Sequence, residues 1–435
     1  MFSKSVLRGI VLEQREEMEE IFSVERIIER EAKAEARKFL KYPNILAILG
    51  ARRCGKSIFA YQLFRGNVFA YINFDDERLA GIDARDLNRI LEVFYEIYGR
   101  NLRNIILDEP QNVPKWELFA NRLRRTKKVI VTGSNSQLLS GELATALTGR
   151  HVTFELYPFS FREVLEFLGK PKEAYTTKER SELIATLRDF LENGGLPERF
   201  KFGRRIIREV YNDIITRDIV RRGKIKKEVE VKRAANFLIS NFSNEFTFRS
   251  LKSIAGVKHL STLSKWIELM KEAYLIIVLE RFSFKIKKPT YAPKKVYSID
   301  TGFTTTAGYR ISENIGRLME NTVAVELFRR RSYWHPNWEI YYWKDHQQRE
   351  VDFIVKNGSE IRQLIQVTYA TGIDEIDRRE LKSLIKAGEI FNCKNMLLIT
   401  WDYEDKINIK NRIIKATPLW KWLLSVNTHK DRATR

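Results

Sequence analysis

An apolar run, Ile45 to Leu49, leads directly into Gly50-Ala-Arg-Arg-Cys-Gly-Lys-Ser57, and a helix-favouring stretch, Ile58 to Phe64, follows at once. Strand, glycine-bearing turn and helix in that order converge a set of backbone N–H groups on one point and add the positive end of the helix. The ligand such a point suits is a phosphate. The amides of Arg53 to Ser57 are expected to face a β-phosphate, with Lys56 reaching the β- and γ-oxygens and Ser57 coordinating Mg2+. Gly50, Ala51, Arg52, Arg53, Cys54, Gly55, Lys56, Ser57 and Ile58 are therefore the expected nucleotide-binding residues, and ATP with Mg2+ the expected ligands.

Further apolar runs separated by helical stretches, Val68 to Phe74, Ile105 to Leu107, Val129 to Thr132 and Val152 to Leu156, predict an α/β domain with a parallel sheet. Asp108 and Glu109 close the second of these, Asp108 for the magnesium shell and Glu109 to orient or deprotonate water. The strand Val68 to Phe74, ending in Asp75 and Asp76, is read as intervening between the loop strand and the Asp108 strand. Ser134 and Asn135, after the next strand, are candidate γ-phosphate sensors, and Arg150 a candidate arginine finger acting in cis or in trans on a neighbouring subunit. An Asp-Glu pair also serves as a helix N-cap, and a lone arginine as a surface ion pair.

With 435 residues, several domains are expected. Residues 1–42 read as a charged helical lead-in, 43–205 as the P-loop domain, 206–300 as a helical linker and winged helix-turn-helix, and 301–435 as a second α/β unit. The winged-helix order is three helices, Val231 to Asn241, Phe248 to Ile254 and Leu260 to Ala273, then strands Leu275 to Phe282 and Lys295 to Ile299. Lys258, His259, Ser261, Thr262, Ser264 and Lys265 would lie at the N-terminal end of its recognition helix, and Lys285, Lys287 and Lys288 on its wing.

Lys and Arg number 77 against 56 Asp and Glu, and the net charge of +21 makes polyanions natural partners. DNA is favoured and RNA stays open. Two cysteines far apart exclude a disulfide framework, and the apolar runs are too short to span a bilayer. A cytoplasmic protein without a membrane partner is expected.

In this order, Gly50 to Ser57, Leu107-Asp-Glu-Pro-Gln111, Thr132-Gly-Ser-Asn135, Leu147-Thr-Gly-Arg150, Tyr157-Pro-Phe-Ser-Phe-Arg-Glu163, Gly194-Gly-Leu-Pro197, Arg217-Asp218 and Val296-Tyr-Ser-Ile-Asp-Thr-Gly302 resemble archaeal and bacterial AAA-type ATPases. The resemblance spans nearly the whole chain. It implies an AAA-type core, a winged helix and a C-terminal domain similar to the PD-(D/E)xK, restriction-endonuclease-like fold. Through it Pro197 would touch adenine. Glu320, Asp352 and Gln366 would match that fold's acidic and (Glu/Gln)-x-Lys positions, where a divalent metal is held and a lysine helps activate water. Thr368 stands at the lysine position, so a degenerate nuclease is expected. ATP hydrolysis coupled to domain rearrangement on nucleic acid is the leading reading, beside a nucleotide-switched scaffold for protein partners and an ATP-dependent nuclease.

Overall fold

Five apolar runs of the N-terminal third form one parallel sheet; the first four are buried along most of their length and need helices on their faces, while the last, at an edge, is only partly buried. In chain order the elements are α1 (Lys4–Val24), α2 (Lys33–Phe39), β1 (Ile45–Leu49), α3 (Lys56–Phe64), β2 (Phe69–Asn73), α4 (Asp86–Tyr98), β3 (Asn104–Asp108), α5 (Trp116–Leu123), β4 (Lys128–Gly133) and β5 (His151–Glu155). The sheet order is β2-β3-β4-β1-β5. The strand between the loop strand and the Asp108 strand is therefore β4, and β2, expected there from its place in the sequence, lies at the edge. Sequence order misleads because a parallel crossover can skip a neighbour.

Helix α1 begins at Ser3, whose side chain accepts from the Val6 N–H, and buries Leu7, Ile10, Val11, Gln14 and Met18 at helical spacing. Its charged residues occupy the other face. Gln14 Nε2 donates to the Asn73 carbonyl at 3.1 Å, and the Asn73 N–H donates back to Gln14 Oε1 at 2.9 Å, tying α1 to the end of β2.

The computed structural model describes residues 2–134, 149–283, 292–308, 314–409 and 411–425. The chain divides into two units, Met1–Tyr157 with Glu272–Tyr274 and Ser332–Trp334, and Pro158–Lys271 with Leu275–Arg331 and His335–Arg435. The expected boundary after residue 42 falls inside the first unit, and those after 205 and 300 fall inside the second.

The second unit opens with α6 (Phe161–Leu168), α7 (Thr177–Asn193), α8 (Arg199–Phe202) and α9 (Arg205–Asp213), the last continued by a π-helical stretch, Ile214–Arg221. Then come α10 (Glu228–Ser240), β6 (Asn244–Phe246), α11 (Phe248–Ala255), α12 (Leu260–Glu272), β7 (Ile276–Glu280) and β8 (Lys294–Ser298). The three strands make an antiparallel sheet in the order β6-β8-β7. After α13 (Thr301–Thr306) and α14 (Ile315–Tyr333), the strands β9 (Trp338–Lys344), β10 (Glu350–Asn357), β11 (Glu360–Val367), β12 (Met396–Thr400), β13 (Asp405–Ile409) and β14 (Arg412–Pro418) build a mixed sheet ordered β13-β14-β12-β11-β10-β9. Helix α15 (Arg378–Ile390) packs on β10, β11 and β12, and α16 (Leu419–Leu424) closes the described chain. Leu364, Leu384, Leu398 and Ile414 are fully buried in this core, while Trp343 and Tyr341 pack at it. The two sheets of this unit meet where Arg281 bridges Tyr342 and the Phe282 N–H donates to the Tyr342 carbonyl at 2.7 Å.

Candidate functional site

The loop between β1 and α3 is closed by residues that admit no alternative. Gly50 has φ 155°, and a Cβ there would collide with the Leu156 carbonyl oxygen; Gly55, at φ 92°, starts α3. Lys56 is 7% exposed, and its Nζ donates to the carbonyls of Gly50 and Ala51 at 3.1 and 3.0 Å, so the ammonium lies within the curve of the loop. Cys54 is fully buried with its Sγ donating to Leu156 O, and burial pushes its thiol up, which makes it a packing residue and not a nucleophile. Arg30, which the sequence reading passed over as part of a charged segment, is buried and donates to the carbonyls of Cys54 at 3.0 Å and Tyr157 at 2.6 Å. It fixes the loop from behind.

Register brings the other expected residues to the same end of the sheet. Leu49 pairs with Gly133, and Thr132 with Asp108, so the loop, Ser134 and Glu109 leave three adjacent parallel strands at one edge. At the usual strand spacing, Asp108 lies roughly 10 Å across the sheet from Leu49, within reach of a bound triphosphate. Asp108 is 2% exposed and accepts from the Tyr71 hydroxyl at 2.8 Å and from the Thr132 hydroxyl. Burial and the adjacent Asp108 hold the Tyr71 phenol well above its ordinary range, so it stays a donor. Among the described residues no ammonium or guanidinium pairs with Asp108. Its charge is oriented but not neutralised, which suits a carboxylate that meets a cation.

Glu109 has φ 50°, left-handed backbone that a non-glycine residue adopts at a cost of about 1–3 kcal/mol. Its N–H donates to the Thr132 carbonyl at 3.2 Å, and its carboxylate accepts from Gln111. Ser134 is buried at the end of β4; Asn135 lies outside the described residues. Tyr71 and Thr132 are site residues that motif reading missed.

Arg150 is elsewhere. The Ile45 N–H donates to its carbonyl and His151 pairs with Ile45, so Arg150 stands where β1 begins, roughly 16 Å of strand away from the loop. The length of β1 separates its backbone from this loop. Arg150 and Arg125 lie near enough to Arg124 to help burial lower that guanidinium.

Residues 42–165 match the AAA domain family, while residues 184–313 and 315–422 match two domains of unknown function, DUF8612 and DUF4143. Over 408 residues the chain is 36% identical to the uncharacterized protein MJ1544 of Methanocaldococcus jannaschii, a match spanning 88% of this chain and 89% of the relative. The chain belongs to that protein's family. An uncharacterized protein of Haemophilus influenzae is 27% identical over 402 residues, 87% of this chain and 94% of its own. Among solved structures, the Walker-type ATPase PABY2304 of Pyrococcus abyssi is 17% identical, with 64% of this chain and 95% of that chain covered at a TM-score of 0.40.

In the DUF4143 region the structure gathers a second set of carboxylates. Asp352 on β10 is 5% exposed; its carboxylate accepts from the Val367 N–H at 3.0 Å, and its own N–H donates to the Gln366 side chain at 3.4 Å. Glu320 on α14 accepts from the Tyr297 hydroxyl at 2.7 Å. Thr368 follows β11 without a charge to offer, but a lysine is present after all. Lys295 of β8, 3% exposed, places its Nζ 2.9 Å from Glu320, 3.0 Å from Asp352 and 2.6 Å from Glu350. In the sequence it is only the first residue of the strand expected over Lys295 to Ile299. The available signal was its partner at i+2, Tyr297, which puts Lys295 on an inward face. Burial, then Asp352, pushes the Glu320 carboxyl up to about 7, and burial, then Asp352, does the same to Glu380 of α15.

In the DUF8612 region two of the motifs, Gly194 to Pro197 and Val296 to Gly302, pack against each other. Asp300, fully enclosed, accepts from the N–H groups of Gly195 at 2.7 Å and Gly302 at 2.9 Å, and a side chain at Gly194 would strike its carboxylate. The Phe159 N–H donates to the Gly195 carbonyl. Pro197 lies in this second unit, where its carbonyl accepts from Phe200 N–H in a turn. At α12, Lys258, His259, Ser261 and Lys265 are exposed and Thr262 and Ser264 half-buried, whereas Lys285, Lys287 and Lys288 lie outside the described residues. No described helix is long and apolar enough to cross a membrane.

Proposed function

We propose that the chain binds MgATP at Gly50 to Ile58 and hydrolyses it, and that nucleotide turnover drives rearrangement of the second unit on nucleic acid. One observation carries the reading: the buried, charge-bearing Asp108 at the same sheet edge as a loop containing Lys56. Ser57 and Asp108 are the residues suited to Mg2+, an ion that keeps most of its waters and takes few protein oxygens. Lys56 neutralises developing charge on the γ-phosphate, Glu109 orients the attacking water, and Ser134 and Asn135 sense the γ-phosphate. Arg150 serves, in this reading, a neighbouring subunit's ATP in trans. Residues 228–298 act as a winged helix, with the exposed Lys258, His259, Ser261 and Lys265 meeting phosphates beside a duplex, and residues 315–424 as a nuclease-like domain retained for binding.

Steady-state phosphate release with and without duplex DNA, single-stranded DNA and RNA tests both halves. Lys56→Ala is expected to abolish release, and one nucleic acid is expected to stimulate the wild-type rate. A Lys56→Ala protein as fast as wild type removes the catalytic assignment; an unstimulated but active enzyme removes only the nucleic-acid half and favours protein partners.

A further inference from the structure

Resemblance to the nuclease-like fold implies a divalent metal among Glu320, Asp352 and Gln366, and the residues present do not fit one. The place such an ion would take, within 3 Å of three carboxylates, is filled by the Lys295 ammonium. Among the described residues no set of carboxylates, histidines or cysteines is arranged to hold a metal ion. Gln366 is turned to the Asp352 backbone, and Tyr297 donates to Glu320.

Lys295 has no route out of the cluster. It sits on β8, the central strand of the β6-β8-β7 sheet, paired on both sides through Glu245 and Leu279. At 3% exposure its ammonium would have to leave the carboxylates for apolar surroundings, and an unpaired buried ammonium is strongly disfavoured. A second ammonium, Lys344 of β9, bridges Glu350 at 3.2 Å and Glu245 of β6 at 2.9 Å. Both lysines join a strand or helix of the six-stranded half to a strand of the three-stranded sheet.

We propose that Lys295 is the resident cation of this cluster: it replaces a divalent metal, and it latches the three-stranded sheet to the six-stranded one. The region then holds its two halves together by a fixed internal charge and takes no part in metal-dependent phosphodiester cleavage. This goes beyond the ATPase reading and does not depend on it.

The test is Mn2+ binding to the nucleotide-free full chain, followed by electron paramagnetic resonance and by thermal melting. Wild type and Asp352→Asn are expected to bind the same amount of Mn2+, since any ion near the phosphate loop is common to both. Lys295→Met, which keeps the length and removes the charge, is expected to gain one Mn2+ per chain and to melt several degrees higher with saturating Mn2+, on the order expected for a ligand that binds only the folded state. Lys295→Met/Asp352→Asn is expected to lose that gain. A wild-type Mn2+ site that disappears in Asp352→Asn overturns the proposal, and so does a folded Lys295→Met protein with no added site. Should Lys295→Met fail to fold, the comparison of wild type with Asp352→Asn still decides.

Discussion

Asp108 and Asp352 are alike in burial, at 2% and 5% exposed, and in position on the strands of a sheet, yet their surroundings prepare them for opposite ends. Asp108 is held by two neutral hydroxyls, Tyr71 and Thr132, which aim the carboxylate without cancelling its charge. Asp352 faces an ammonium that cancels it. A buried carboxylate is therefore not in itself a sign of a cation site. What decides is whether its hydrogen-bond donors carry charge.

The largest expected effect breaks the symmetry of the two aspartates directly. Asp108→Asn is expected to lower ATP turnover by about 100-fold or more, the scale of losing an electrostatic partner of the transition state. Asp352→Asn is expected to leave turnover per folded molecule within about twofold, because it removes charge from a neutralised cluster. Steady-state phosphate release from both variants measures the contrast, and equal losses would abolish it.

Stability should show the reverse. Lys295→Ala strips the ammonium from Glu320, Glu350 and Asp352 and is expected to cost about 3–5 kcal/mol, whereas Tyr71→Phe, losing one hydrogen bond, is expected to cost about 1 kcal/mol. Urea unfolding of the two variants gives the comparison. A Lys295→Ala cost no greater than that of Tyr71→Phe would mean the cluster is not a latch.

These contrasts also mark how far the sequence could be read. The geometry of the loop was legible because a contiguous motif, strand, turn and helix, determines it, and the place of Asp108 and Glu109 at a strand end because they close an apolar run. Tyr71 and Thr132 were not, since they meet Asp108 only through strand register: Thr132 pairs with it directly, and Tyr71 reaches it from the neighbouring edge strand. Lys295 lies 57 residues before Asp352 and belongs to a different sheet. In a chain with 77 basic residues nothing local distinguishes it. The α/β alternation, the three helices and the β7–β8 pair were readable from apolar periodicity, whereas β6, three residues long and lying between the first two of those helices, was not. The strand order was not, because periodicity carries no information about which parallel neighbour a strand chooses.

Acidity separates the two regions again, with a smaller effect. Glu320 and Glu380, each pushed up to about 7, bind more protons folded than unfolded between their ordinary carboxyl range and pH 7. Their contribution is full below that range and is lost as pH rises to about 7, on the order of 1–3 kcal/mol for the coupled group. Asp76 of the first unit behaves oppositely: Arg78 holds it at about 2, so its contribution is present above the ordinary range and lost as pH falls toward 2. Unfolding free energy followed from pH 4 to 8 is expected to decline toward neutrality, and Glu380→Gln to flatten part of that decline. A rise with pH that Glu380→Gln leaves unchanged would contradict the assignment.

The smallest effect probes the finest part of the comparison. If neutral donors serve to aim Asp108 at Mg2+, removing one should loosen the aim and keep the charge. Tyr71→Phe is expected to slow ATP turnover by a factor of about 3–10, the cost of roughly one hydrogen bond, with the loss partly recovered at higher Mg2+. Thr132→Val removes both the donor to Asp108 and an acceptor for the Glu109 N–H, so its loss should be larger and less responsive to Mg2+. Measuring kcat against Mg2+ concentration separates the two. Identical Mg2+ dependence in wild type and Tyr71→Phe would show that the phenol only fills space, and that the carboxylate is aimed by the sheet alone.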